Sequence, residues 1–262
     1  MTGTTARLAK DPATRPGGSG TWAFPTPDAR DLAARVALAR RLATGAQQVV
    51  DVGCGSGHLL LALSDVIGHG VGIDISGEAL DEAERAVDAR GVGNIRFLEG
   101  DALDAARHAE PPGLIDLAIL AGVLEHVDDP ADLLSAWGRR IGPWGRILVV
   151  SPHRWSPGGS YARRATRRTD DRAVAARLKT PMAVARMARG CGLVVRGVWS
   201  LPWVPPAQAE MRLPPWAERA ARTLARVPLP ALSGAYGMVL VQDGKPMAPL
   251  RSMPSQGMDL PG

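Results

Sequence analysis

At 262 residues the chain is long enough for one large domain with appendages. Its 45% hydrophobic and 22% charged content fits a globular protein and excludes a fibrous or low-complexity chain. The net charge of +5 comes almost entirely from Arg set among abundant Ala, Gly and Pro, the signature of GC-rich coding, so charge alone does not require a nucleic-acid partner.

The two cysteines, Cys54 and Cys191, have no partners at metal-ligand spacing, so no metal site is expected and a reducing cytoplasm is the expected compartment. No N-terminal apolar run is long enough for a signal peptide or a transmembrane segment. Residues 1–20 and 244–262 read as disordered tails flanking one domain over 21–243. Asp28 is placed to cap a helix in which Leu32, Val36, Ala39 and Leu42 recur at helical spacing. Trp22 and Phe24, just upstream, either cover a ligand or staple this helix to the core.

Val49 to Val52 reads as a buried parallel strand, followed by glycines at positions 53, 55 and 57 and then an apolar helix from Leu59 to Ile67. A strand that turns into a helix over glycines brings bare backbone close to a ligand. The spacing is not the G-x-G-x-x-G of dinucleotide sites, because position 58 is His; it is D-x-G-x-G-x-G, opening on Asp51. Here the chain resembles the class I S-adenosylmethionine (SAM)-dependent methyltransferases. A second strand ends at Asp74, followed by Ser76 as a helix cap, and a third ends in Gly100-Asp101-Ala102. A fourth, Ile115 to Gly122, leads into Val123-Leu124-Glu125-His126-Val127, which resembles the L-E-H-V segment of the small-molecule methyltransferase group that includes quinone-biosynthesis enzymes. A helix from Ala131 to Ile141 stops at Gly142-Pro143, and Gly145 to Pro152 reads as the fifth strand.

Five β-α units in a row predict a parallel sheet with helices on both faces and a ligand at the carboxyl ends of the strands. The resemblance implies a Rossmann-like, seven-stranded, mostly parallel sheet of order 3-2-1-4-5-7-6 with strand 7 antiparallel. It further implies SAM as cofactor, S-adenosylhomocysteine as product, and a cofactor site made by Asp51, Gly53, Cys54, Gly55, Gly57, Asp74, Ile75, Asp101, Ala102 and Ala121. In that family Asp74 would hold the ribose diol, and Asp101 with the Ala102 amide would hold the adenine. His126 and His153, both just past strand ends, are the candidate general bases, with structural roles as the alternative.

Beyond the core, Thr180-Pro181 opens a helix to Arg189, Leu193 to Trp199 is a sixth strand, and Tyr236 to Val241 a seventh. Residues 153–180 and 201–230 read as additions on the acceptor side. The first carries Arg163, Arg164, Arg167, Arg168, Arg172 and Arg177, either a solvated face or an anion- or RNA-binding surface. The second, with Trp203, Met211, Leu213, Trp216 and an amphipathic helix to Val227, either forms a lid over a hydrophobic acceptor or packs an appended helix. Strand four is not followed by the [DN]-P-P-[YF] of base-amino methyltransferases, and no Cys lies near it for cytosine-carbon chemistry. The expected function is methyl transfer to the oxygen, nitrogen or carbon of a small-molecule acceptor, with RNA methylation or non-catalytic SAM binding as alternatives.

Overall fold

The computed structural model describes residues 6–7, 29–154, 177–201 and 235–244. Seven strands, β1 (Gln48–Val52), β2 (His69–Asp74), β3 (Ile95–Glu99), β4 (Ile115–Ala121), β5 (Ile141–Pro152), β6 (Leu193–Leu201) and β7 (Ala235–Gln242), form one sheet in the order 3-2-1-4-5-7-6. The first five run parallel, while β7 pairs antiparallel with both β5 and β6. This is the expected topology, with one addition: Ala6–Arg7 pairs parallel with Leu98 and Glu99 on the outer edge of β3. That pair falls inside the segment read from sequence as a tail.

The apolar runs of the central strands follow from burial on both faces. Val49, Leu117, Ile119, Leu148 and Val150 pack against α1 (Ala29–Ala43), α2 (His58–Leu63) and α3 (Gly77–Ala89). Val50, Val52, Ala118, Leu120, Ile147 and Val149 pack against α4 (Ala102–Arg107), α5 (Pro130–Arg140) and α6 (Pro181–Gly190). The period of two along each strand divides the core into these two layers. Trp137 of α5 is fully buried, and its indole Nε1 donates to Ala102 O at 3.1 Å, tying α5 to the start of α4.

Caps account for most helix starts. Ser76 Oγ accepts from Ala79 N, Thr180 Oγ1 from Ala183 N, and Asp129 Oδ1 from Ala131 N and Asp132 N. Two boundaries differ from the sequence reading. Helix α2 stops at Leu63 rather than Ile67, because the Ser64 hydroxyl turns back to Leu61 O at 2.9 Å. Strand β5 begins at Ile141, with Ile115 opposite Ile141 and Leu117 opposite Arg146, so Gly142 to Gly145 form an irregularity within the strand. A Cβ on Gly145 would sit 2.5 Å from Ile115 O, which explains the glycine there.

Trp22, Phe24 and Asp28, Arg163 to Arg172, the insert from Pro202 through the expected Trp216–Val227 helix, and residues 245–262 lie outside the described residues.

Gly72 in β2 has no room for a side chain: a Cβ would meet Phe97 Cδ1 at 2.6 Å and Cys54 Sγ at 2.7 Å. Gly72→Ala is expected to lower unfolding free energy by about 1–3 kcal/mol through overpacking, checked as a fall in the denaturant midpoint at constant m-value.

Candidate functional site

The turn between β1 and α2 is clipped to the neighbouring strand. The Gly53 and Cys54 N–H groups both donate to Ile73 O, at 2.7 and 3.1 Å. The Gly55 N–H donates to Asp74 Oδ2 at 2.8 Å, and the Ser76 N–H donates to Asp74 Oδ1 at 3.0 Å. One carboxylate thus fixes both the glycine turn and the turn into α3. Each of its oxygens keeps a second lone pair for a ligand.

Gly53, Gly55 and Gly57 all have positive φ, at 69°, 52° and 71°. Their surroundings differ. A Cβ on Gly53 would strike Val123 Cγ2 at 2.8 Å, and one on Gly57 would strike Phe97 Cζ at 2.9 Å, whereas one on Gly55 would meet nothing within 4 Å. Packing of the protein itself demands the outer two glycines; the middle one faces open space, as a backbone cradle for a ligand requires. Cys54 tucks its Sγ toward Gly72, and burial, then the charges of Asp51 and Asp74, push its thiol well above the ordinary range. It is a neutral packing group at this turn.

The remaining expected cofactor residues line the same end of the sheet. Ile75, one residue past β2, leaves 55% of its surface exposed beside Asp74, an apolar face suited to a flat ring. Asp101 caps α4, accepting from Leu103 N at 2.7 Å and Asp104 N at 3.1 Å, both through Oδ1. Capping and ligand binding are therefore compatible, since Oδ2 is not used by the cap. Ala102 begins α4 and Ala121 ends β4. Asp51 is 2% exposed, and its carboxyl is pushed up to about 8, by burial first and then by Asp74, with Arg35 of α1 opposing.

Across the sheet, beyond β4 and β5, lies a second polar group. Glu125 is 3% exposed, and Ser151 Oγ donates to its Oε2 at 3.3 Å. Ser151 is the register partner of Tyr236 across the β5–β7 pair. His153 is 4% exposed and its ring meets Tyr236 edge-on, with centroids 6.1 Å apart. Burial holds His153 below its ordinary value, favouring the neutral imidazole. Burial also lifts Glu125, opposed by its own backbone amide, Arg35, Ser151 and Lys179. The other expected base, His126, is half-buried in the turn after β4, where its N–H donates to Val123 O at 2.9 Å. Lys179 Nζ donates to Arg177 O at 3.0 Å, and Arg177 pairs with exposed Asp128.

The structure thus brings Asp51, the glycine turn, Asp74 and Asp101 to one end of the sheet, with His153 on the other side of β4. Sequence reasoning placed Ser151 and Tyr236 only as strand residues, did not single out Arg35, and left Glu125 without a role. The L-E-H-V segment drew attention to its histidine, although it is the glutamate that is buried. Among the described residues no group of three His, Cys, Asp or Glu could hold a metal ion, and no helix is long and apolar enough to cross a membrane.

A doubly wound sheet of this strand order, with a glycine cradle and acidic side chains at successive strand ends, is the architecture of class I SAM-dependent methyltransferases. Residues 43–188 match the methyltransferase domain family, more than half of the chain, and the chain belongs to that family. It is 28% identical over 169 residues to a ubiquinone biosynthesis O-methyltransferase of Aeromonas salmonicida, covering 61% of this chain and 68% of the relative. It is 35% identical over 105 residues to the tRNA 5-carboxymethoxyuridine methyltransferase of Escherichia coli, covering 39% of each. Among solved structures it resembles the plantazolicin methyltransferase BamL in complex with a triazolic desmethylPZN analog and SAH, with a TM-score of 0.55, 13% identity, and coverage of 82% of this chain and 85% of that one. S-adenosylmethionine is the cofactor of the family fold to which this chain conforms.

Gly45 offers an internal control for the cradle: its φ is +81° and a Cβ there would also meet nothing within 4 Å, but it lies at the end of α1. Gly55→Val is expected to weaken SAM binding at least ~100-fold in calorimetry, while Gly45→Val, which carries similar backbone strain, leaves it within about twofold. Equal losses in the two variants would remove Gly55 from the cofactor site.

Proposed function

We propose that this methyltransferase transfers the SAM methyl group to a small-molecule acceptor seated at the carboxyl ends of β4 and β5, with oxygen as the accepting atom. The observation that carries this reading is the chemistry of the acceptor end, where Glu125, Ser151, His153 and Tyr236 are all buried. Such a lining suits a compact, desolvated acceptor rather than a phosphate backbone laid on an exposed basic surface. The likeness to a ubiquinone biosynthesis O-methyltransferase supports oxygen.

The cofactor supplies a methyl group already activated on a sulfonium. The protein's task is to hold nucleophile, methyl and sulfur in line and to exclude water; alignment alone is worth about 7–11 kcal/mol. In this reading the Gly55 backbone admits the cofactor, Asp74 accepts from the ribose hydroxyls, Asp101 receives the adenine amino group, and Ile75 packs on the ring. Asp51 places a carboxylate near the cationic part of the cofactor. His153, neutral by burial, lines the acceptor side, and His126 borders it.

A second reading is favoured by a specific group of residues. Lys179 lies within electrostatic range of Arg177 and Arg154, so three cations gather around Lys179, which itself acts on Glu125, and one relative is a tRNA methyltransferase. This supports an RNA acceptor. Incubation with methyl-labelled SAM and two pools, a small-molecule extract and total RNA, separates the readings. Label in the small-molecule fraction is the expected result; label in RNA would replace the first reading with the second.

Asp51 yields a pH signature. With its carboxyl at about 8 in the free protein, it is mostly protonated at pH 7. A cation bound beside it favours the ionised form and lowers that value, so SAM binding at pH 7 should release a proton. Affinity should therefore rise with pH below about 8 and level off above it. Calorimetry in buffers of different ionisation enthalpy should show this release in the native chain and none in Asp51→Asn.

A further inference from the structure

Glu125, Ser151 and Tyr236 are not explained by packing. Glu125 sits in the turn after β4, where Ser151 Oγ donates to its Oε2 at 3.3 Å and its own backbone amide favours the carboxylate. Its other oxygen, Oε1, lies 3.9 Å from where a Cβ of Gly122 would be, so it borders bare backbone at the end of β4, next to Ala121. The Tyr236 side chain is fully buried, yet its hydroxyl makes no hydrogen bond; it lies near enough to Ser151 to feel it, but outside bonding geometry. Phe at 236 and Gln or Leu at 125 would fill the same space without burying an unmet hydroxyl or a carboxyl group. A buried hydroxyl left unmet beside a buried carboxyl group at the ligand end of a sheet points to a partner that is not part of the chain.

We propose that Glu125 is the group that takes the proton from the acceptor hydroxyl during methyl transfer, with Ser151 orienting its carboxylate and the Tyr236 hydroxyl completing the socket. This rests on the reading of a hydroxyl-bearing small-molecule acceptor. The acceptor's O–H bond breaks and its proton moves to Glu125. The acceptor oxygen forms the new O–CH3 bond, and the electron pair of the S–CH3 bond stays on sulfur. No other reactant is needed. Glu125 then returns its proton to water as product leaves. The charged and titratable groups around Glu125 are Arg35 from α1, Lys179 ahead of α6, Tyr236 from β7, His153 beyond β5 and His126 next in sequence. Burial raises the carboxyl above the ordinary glutamate range, which makes its ionised form a stronger base near neutral pH, while Arg35, Ser151 and Lys179 keep that form accessible. The acid limb of a pH profile would therefore belong to Glu125, with activity gained as pH rises through its raised value.

The test follows single-turnover methylation of catechol, a phenol that is un-ionised at neutral pH, by the full chain saturated with SAM. In Glu125→Gln the rate at neutral pH should fall at least ~100-fold and recover as pH rises through the ionisation of the phenol itself, because a phenolate needs no base. Affinity for S-adenosylhomocysteine should stay within about twofold, which shows that the variant is folded. Ser151→Ala and Tyr236→Phe should each lose part of the neutral-pH rate, and they carry the test if Glu125→Gln does not fold. A full neutral-pH rate in Glu125→Gln, or in both Ser151→Ala and Tyr236→Phe, overturns the proposal, as does catechol that binds the native chain and is not methylated, and a loss with the same recovery at high pH in His153→Gln alone would move the role to His153. If calorimetry detects no binding of the phenol to the native chain, the hydroxyl-acceptor reading itself fails, and the role of Glu125 falls with it.

Discussion

The site depends on one carboxylate bridging two turns. Asp74 ends β2, and through its two oxygens it accepts the Gly55 N–H from the turn after β1 and the Ser76 N–H from the turn into α3. The Ile73 carbonyl reinforces this by accepting both Gly53 and Cys54 N–H groups. Three backbone donors of a glycine-rich turn, which would otherwise fluctuate, are thereby held against a strand buried on both faces. Glycine gives the turn its conformation, and Asp74 restricts the freedom that glycine would leave. The cradle at Gly55 is open because its neighbours are closed: Val123 fills the space over Gly53, and Phe97 with Ala83 fills that over Gly57.

The reversal at β7 sets the surroundings of Glu125 as Asp74 sets those of the glycine turn. Parallel strands β1 to β5 all deliver their carboxyl ends to one edge of the sheet. An antiparallel strand arriving next to β5 delivers its first residues to that same edge. Ala235 and Tyr236 therefore stand opposite Pro152 and Ser151, and the Tyr236 ring reaches His153. With β7 parallel, position 236 would lie at the opposite end of the sheet. The strand order thus determines which side chains gather at this end of β5, quite apart from any local sequence signal.

This explains the uneven legibility of the chain. The glycine turn and the strand-end positions of Asp74 and Asp101 could be read because each rests on short-range patterning, an apolar run, a turn residue and a cap within a few positions, whereas the sheet order followed only from the family resemblance. The Gly142 to Gly145 irregularity was not readable, since Gly-Pro stops a helix whether the chain then loops or joins a strand, and the close approach of Gly145 to Ile115 O is a tertiary fact. Glu125 was visible as a residue but not as a buried one. Its burial comes from β5 and β7, which lie 26 and 111 positions further along at Ser151 and Tyr236. Charged residues after a strand are ordinarily solvated, so only the folded arrangement reveals that this one is not.

Arg35 acts on two buried carboxyls at once. Its charge opposes the raised values of both Asp51, in β1, and Glu125, in the turn after β4. A guanidinium shared by two buried acids stabilises the ionised form of either, and its field acts on both at once. The placement of α1, which carries Arg35, therefore bears on the protonation of both acids.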